Sequence, residues 1–359
     1  TVPATNTVIA GGVVAGQCVE ISFLPRLRVI KGDKLPAGTK TYEVTEGPVR
    51  GTFASGWSFC NLTTIGGRTV EGEGDFLDRC RAAAEIGTYQ AGFTDFPYLG
   101  EVTEKLARRD ALLGVSVCGI MHQPDLLLDP AVQRRGAEVV LTTNAELAPL
   151  VGVLPCARGT CVKPDGKSSA VLESEPGIHA AHSERYFRFV QANRTEVPYQ
   201  HFRSVNPQAC EASTWSALGI DDVVRFCVET PPGTLLKKDV PAAAMLEAIR
   251  STYQNWVQPG RRPDRLEHPA IHNNVSNTVH VLDGEWESAF RTIYDHRHCY
   301  AGVSLVGESC DRDYAQAPYT AVYTPAETVS TYGAAAASGA APLLTSLQGD
   351  LEGRKRTGD

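Results

Sequence analysis

Apolar and polar residues follow two different rhythms along this chain. Residues 17–25 (QCVEISFLP) alternate and stop at a proline, which predicts a strand. Residues 57–66 (WSFCNLTTIG) predict a second strand, and 26–56, rich in Gly, Pro, Lys and Thr, a hairpin or surface excursion between them. Residues 74–91 space their apolar positions as a helix does, and 101–113 predict another helix. GVSVCGIM (114–121) reads as a short buried strand, 131–152 as mainly helix, and 160–172 as a strand and turn. Beyond that, the pattern predicts helices over 217–228, 240–257 and 285–296, and strands over 275–282 and 301–306. Strands alternating with helices imply an α/β domain with a largely parallel sheet. Residues 331–359 lose their β-branched content and read as an Ala/Gly-rich tail.

Composition narrows the function. The 359 residues are 42% hydrophobic and 21% charged, enough for a substantial core. The net charge of −7, without a long Lys/Arg run, argues against a nucleic-acid partner. Apolar stretches break well short of the ~20 residues that a membrane span needs. No signal-peptide pattern is read at the start, which begins on Thr1. The ten cysteines, at 18, 60, 80, 118, 156, 161, 210, 227, 299 and 310, form no CxxC pair. Their scatter fits a reducing compartment and a cytoplasmic protein, or a host's cytoplasm if a phage encodes it.

The stretch TCVKPDGKSSAVLESEPGIHAAHSERYFR (160–188) carries the most chemistry. It turns at Pro164, Asp165 and Gly166, followed by Lys167, Ser168 and Ser169. A strand–turn–helix with a glycine and two hydroxyls can aim backbone N–H groups at a phosphate; an ordinary β-to-α turn is the plain alternative. Cys18 and Glu20 stand at i and i+2 of the first predicted strand and so share a face. A carboxylate beside a thiol keeps it protonated, which suits hydrogen-atom chemistry with Glu20 as proton acceptor; a core cysteine is the alternative. Cys60 opens the apolar part of the second strand and approaches Cys18 if the two strands are neighbours. His179 and His182 lack a third nearby ligand, so no metal is expected. Arg185 and Arg188 suit structural ion pairs, YDHRHC (294–299) a helix C-terminus, and Tyr314 and Tyr319 loop packing.

Five segments in order, GQCVEISFLP (16–25), SGWSFCNLTTI (55–65), the stretch from YQAGFTDFPYLGEV to GVSVCGIM (89–121), residues 160–188, and NNVSNTVHV through YTAVYT (273–324), resemble ribonucleotide reductases. The resemblance is to the adenosylcobalamin-dependent (class II) group, especially its monomeric ribonucleoside-triphosphate reductases, and covers most of the chain. It implies a fold: the second half of the family's ten-stranded α/β barrel, with its finger loop, over residues 1–330. It implies a thiyl radical at Cys18, proton transfer at Glu20, Cys60 as one of two reducing cysteines, and Pro164, Asp165, Gly166, Lys167, Ser168 and Ser169 as the phosphate cradle. Adenosylcobalamin is the implied cofactor, ribonucleotides the substrate, and an external thiol reductant such as thioredoxin the electron source.

This chain departs from the family pattern at three places. Gly16, followed by Gln17, stands where the family has an Asn that contacts the substrate hydroxyls. No cysteine follows Cys310, so the family's C-terminal recycling pair is absent from this sequence. The other reducing cysteine belongs to the family's first half-barrel, so a second chain carrying that half is expected. A catalytically degenerate, nucleotide-binding half is the competing reading. A glycyl-radical enzyme is disfavoured, because no RVxGY-like segment occurs.

Overall fold

The computed structural model describes residues 26–35, 37–46, 50–166, 168–266, 271–307, 316, 317, 319, 320 and 326. Gly16, Gln17, Cys18, Glu20, Lys167, Cys310 and Tyr314, with the first predicted strand and the tail, lie outside them. In chain order the elements are β1 (Arg26–Val29), β2 (Thr41–Val44), β3 (Gly51–Ser55), β4 (Asn61–Gly66), α1 (Glu73–Ala91), α2 (Gly100–Asp110), β5 (Leu113–Cys118) and α3 (Pro130–Leu147). There follow β6 (Arg185–Asn193), α4 (Val197–Val205), β7 (Cys210–Ala212), β8 (Asp221–Glu229), α5 (Ala242–Thr252), β9 (Val279–Val281), α6 (Trp286–Asp295), β10 (Leu305–Gly307) and β11 (Tyr319–Thr320). The chain divides into two compact units, one comprising residues up to 180 plus 240–305, the other 181–239 plus the residues after 305.

The first unit is built on parallel pairing. β4 pairs β5 in parallel, Asn61 opposite Leu113 through Gly66 opposite Cys118. The ladder continues by parallel bridges from Val115 to Thr160 and from Val162 to Val275. Val279 N–H donates to the Ser304 carbonyl at 2.8 Å, carrying the pairing on to the chain before β10. No barrel closes among the described residues. Within residues 26–56, expected as a hairpin or surface excursion, the strands form a three-stranded antiparallel sheet in the order β1-β3-β2.

Helices α1, α3 and α5 cover one face of this ladder. Ile65, Val115, Val117 and Val162 point into a core with Phe76, Val140, Leu246, Ile249 and Trp256. Phe76 and Trp256 set their ring centroids 6.0 Å apart. Between them Gly136 lets α1 and α3 close: a Cβ there would stand 2.8 Å from Phe76 and 3.0 Å from Trp256. α5 ends in a π-turn over Tyr253–Val257. From there the Trp256 indole N–H reaches the Cys161 carbonyl at 2.8 Å, locking the helix layer to the third strand of the ladder.

The second unit holds an antiparallel sheet, β11-β6-β8-β7. Here the structure corrects the sequence pattern: 217–228 is predicted helical, yet Asp221–Glu229 is the strand β8. It runs along β6 in a nine-residue register, Arg185 opposite Glu229 through Asn193 opposite Asp221. Val223, Val224 and Val228 favour a pleated surface, and a partner on each side completes the backbone hydrogen bonding.

Gly260 packs against Thr160, where a Cβ would strike the Thr160 hydroxyl, whereas a Cβ at Gly74 in α1 would meet nothing within 4 Å. Gly260→Ala is therefore expected to lower stability by about 1–3 kcal/mol. Gly74→Ala should raise it by roughly 0.5–1 kcal/mol. Urea unfolding of both variants checks the contrast.

Candidate functional site

Side chains two apart on a strand share a face. The alternation therefore sorts the ladder: Ile65, Val115, Val117 and Val162 go to the helices. The opposite face receives Cys60, Leu62 and Thr64 from β4 and the residue before it. It also receives Gly114, Ser116 and Cys118 from β5, and Cys161, Lys163 and Asp165 from the third strand. One face is thus aliphatic, and the other carries thiols, hydroxyls, an ammonium and a carboxylate.

Asp165 organises this polar face. Its side chain is fully buried. One carboxylate oxygen accepts from Thr64 Oγ1 at 2.8 Å and the other from Ser116 Oγ at 3.0 Å. Lys163 Nζ lies 3.1 Å away. Ser116 Oγ also accepts the Lys163 backbone N–H at 2.8 Å. A buried carboxylate needs such donors to offset its lost hydration. The three donors come from three adjacent strands, so the network ties the ladder together across its width.

The turn then builds on Asp165, whose backbone takes the left-handed conformation, φ 50°. Its carbonyl accepts both the N–H, at 2.9 Å, and the hydroxyl of Ser169. A single helical turn follows over Ser168–Val171. Ser174 N–H donates back to the Ser169 carbonyl at 2.8 Å, and Gly119 N–H to the Glu175 carbonyl at 2.8 Å. Gly177 passes beneath, φ 48°, where a Cβ would stand 2.5 Å from the Lys163 carbonyl oxygen.

Of the residues expected to cradle phosphate, Pro164, Asp165, Gly166, Ser168 and Ser169 thus form one compact turn. Within it the Asp165 carboxylate is turned inward to Thr64 and Ser116. Sequence reasoning missed Lys163, Ser116 and Thr64. For two of them the signal was present in period two: Thr64 shares its strand face with Cys60, and Lys163 with Asp165.

Cys60 stands immediately before β4, on the same face as Thr64 and four residues from it. That is roughly 13 Å of strand. Gly114, opposite Leu62, has no side chain, and a Cβ there would strike Leu62 Cδ2 and stand 2.8 Å from Cys60 Sγ and 3.1 Å from Cys161 Sγ. Leu62 and both thiols thus crowd over the glycine. Cys161 is fully buried, Cys60 partly exposed. Near the turn, burial and the Asp165 carboxylate push the Cys118 thiol up to about 11. That thiol stays protonated at neutral pH, so Cys118 is not a thiolate nucleophile.

The other singled-out residues have structural partners. His179 Nδ1 lies 2.7 Å from the Pro176 carbonyl oxygen. His182 stacks on Tyr319, centroids 6.1 Å apart, and meets Tyr186 edge-on. Arg185 pairs with Glu229 at 3.0 Å, and Arg188 lies over the Tyr319 ring. α6 ends at Asp295, and Arg297 donates to the Tyr294 carbonyl at 2.8 Å, a cation at a helix C-terminus. Among the described residues no three His, Cys, Asp or Glu side chains are grouped to hold a metal, and no helix is long and apolar enough to cross a membrane.

No protein family model matches this chain, and no curated protein does. Its fold is similar to the crystal structure of a B-12-dependent (class II) ribonucleotide reductase, with a TM-score of 0.57 and 12% sequence identity. The similarity covers 81% of this chain and 42% of that one, so this chain spans less than half of that protein's length.

His122 gives the site a pH dependence. Burial, and then the Arg68 charge, hold its imidazole down to about 4, from an ordinary value of 6.5. A base depressed on folding stabilises fully above 6.5, and that contribution is lost as pH falls toward 4. Its Nε2 accepts the Glu175 N–H at 3.3 Å, so protonation also removes a contact to the segment after the turn. His122→Gln is expected to flatten the loss of stability between pH 6.5 and 4. Urea midpoints across that range, compared with the unsubstituted protein, check this.

Proposed function

We propose that this chain is the C-terminal part of the catalytic barrel of a class II ribonucleotide reductase, converting ribonucleoside triphosphates to 2′-deoxyribonucleotides for DNA synthesis. One observation carries the reading: a cysteine, Cys60, shares a strand face with Thr64 roughly 13 Å along the strand, and Thr64 bonds Asp165 at the root of the polar turn. The fold likeness supports it independently. In this reading the parallel ladder belongs to the second half-barrel, which the resemblance extends over residues 1–330. A second chain supplies the first half.

Cys18, as a thiyl radical, takes the ribose 3′-hydrogen and later returns it. Glu20 takes the 3′-hydroxyl proton and gives it back when the 3′-hydroxyl is restored, and the 2′-hydroxyl leaves as water with a proton from one of the two thiols. Two thiols, Cys60 and a cysteine of the second chain, supply two electrons and two protons and become a disulfide. An external dithiol such as thioredoxin reduces that disulfide. The turn at Pro164–Ser169 fixes the phosphates, and hence the ribose, against Cys60. Gln17 takes the place of the side-chain amide that Gly16 lacks.

Adenosylcobalamin would supply the initiating radical when bound. The described residues do not fit it: the groove beside Arg134, Leu141, Pro259 and Arg262 is open to solvent, not a broad enclosed slot for a corrin. Its cradle is assigned to the second chain and to residues outside those described. Gly16 favours one other reading, a nucleotide-binding half without turnover.

A reductase assay on this chain, co-expressed with its second chain, is expected to form deoxyribonucleotide only when adenosylcobalamin is added. Cys18→Ala should abolish product while the circular dichroism spectrum is unchanged. Product without the cofactor, or unaltered turnover in Cys18→Ala, would overturn the mechanism. No product from a folded complex would favour the non-catalytic half.

A further inference from the structure

Lys163 precedes the turn and has no part in the function as stated so far. Its backbone is held from two sides. Its N–H donates to Ser116 Oγ at 2.8 Å, and Gly177 packs so closely under its carbonyl that a Cβ would not fit. Its side chain retains 13% of its exposure, against none for Asp165, to which it is paired at 3.1 Å. The carboxylate is thus fully enclosed, while the lysine side chain keeps a small exposed part.

A lone buried carboxylate at the root of a phosphate turn would repel the anion that the turn is built to take. The Lys163 ammonium cancels that charge. An ammonium has three donors. The Asp165 carboxylate takes one, and it already accepts from Thr64 and Ser116 with its two oxygens. We propose that Lys163 is the cationic contact for the substrate's phosphates, with Asp165 as the positioning residue that aims it. The ammonium then bridges carboxylate and phosphate, as a point charge rather than a bidentate fork. This rests on the reading of Pro164–Ser169 as a phosphate cradle, and adds to it a cation from the strand that leads into the turn.

The test uses the full 359-residue chain and inorganic tripolyphosphate, which carries the phosphates without base or ribose. Calorimetry compares the unsubstituted protein with Lys163→Arg, Lys163→Met and the double variant Lys163→Met/Asp165→Asn. The double variant leaves no uncompensated buried charge, so it keeps the test valid if Lys163→Met alone does not fold. Lys163→Arg should bind within about threefold of the unsubstituted protein. The double variant should lose roughly tenfold to a hundredfold, the usual worth of a charge-assisted hydrogen bond. It should also lose the salt dependence of binding. Tripolyphosphate binding unchanged in the folded double variant, or absent from the unsubstituted protein, would overturn the proposal. The reductase assay separates the two ideas. Binding lost in the variants without any reductase activity keeps Lys163 as an anion contact and removes the reductase reading. Activity with an unchanged KM for ribonucleotide in the double variant does the reverse.

Discussion

A buried carboxylate that must find three donors constrains everything else on the polar face of this protein. Asp165 cannot be solvated where it lies, so Thr64, Ser116 and Lys163 must converge on it. These groups come from three adjacent strands, and they meet only if the strands are parallel and in one register. The left-handed backbone at Asp165 belongs to the same constraint: it turns the chain sharply after the strand while the side chain stays inside. Ser169 then closes the turn on the Asp165 carbonyl. Strand register, turn conformation and turn closure are consequences of satisfying one charge.

The other face of the ladder explains why the polar face can exist. Val115, Val117, Ile65 and Val162 bury against α1, α3 and α5, and this core needs nothing from the opposite side. Trp256 ties the layers by donating to the Cys161 carbonyl, and the Thr160 hydroxyl donates to the Trp256 carbonyl. With stability supplied on the helix side, the strands are free to carry thiols, hydroxyls and charges on the other. Gly114 extends the same logic, leaving room for Leu62, Cys60 and Cys161 to pack over it.

Much of the first unit was legible in the order of residues. The helix predicted over 74–91 is α1, Glu73–Ala91, and that over 285–296 contains α6, Trp286–Asp295. Their signals are local, carried by apolar residues at helical spacing. Strand 114–121 was legible as a short buried apolar run, which is how a parallel strand covered on both faces reads. The failure at 217–228 has the opposite cause. A strand such as β8 draws its stability from β6 and β7, more than fifteen residues removed in sequence from most of its partners, and no local window contains them. The turn at Pro164–Ser169 was legible as a turn because Pro, Asp and Gly set backbone conformation locally.

The sequence by itself determined the alternation of strand and helix in the first unit, the position of the turn, and which residues could carry chemistry. These follow from periodicity and from the conformational preferences of single residues. Only the tertiary structure decided that Asp165 faces inward, that Lys163 is its partner, and that Thr64 and Ser116 belong to the site. Those residues are separated by 49 and 101 positions from the carboxylate they serve. What unites them is the cost of an unpaired buried charge, which arises only once the strands are side by side.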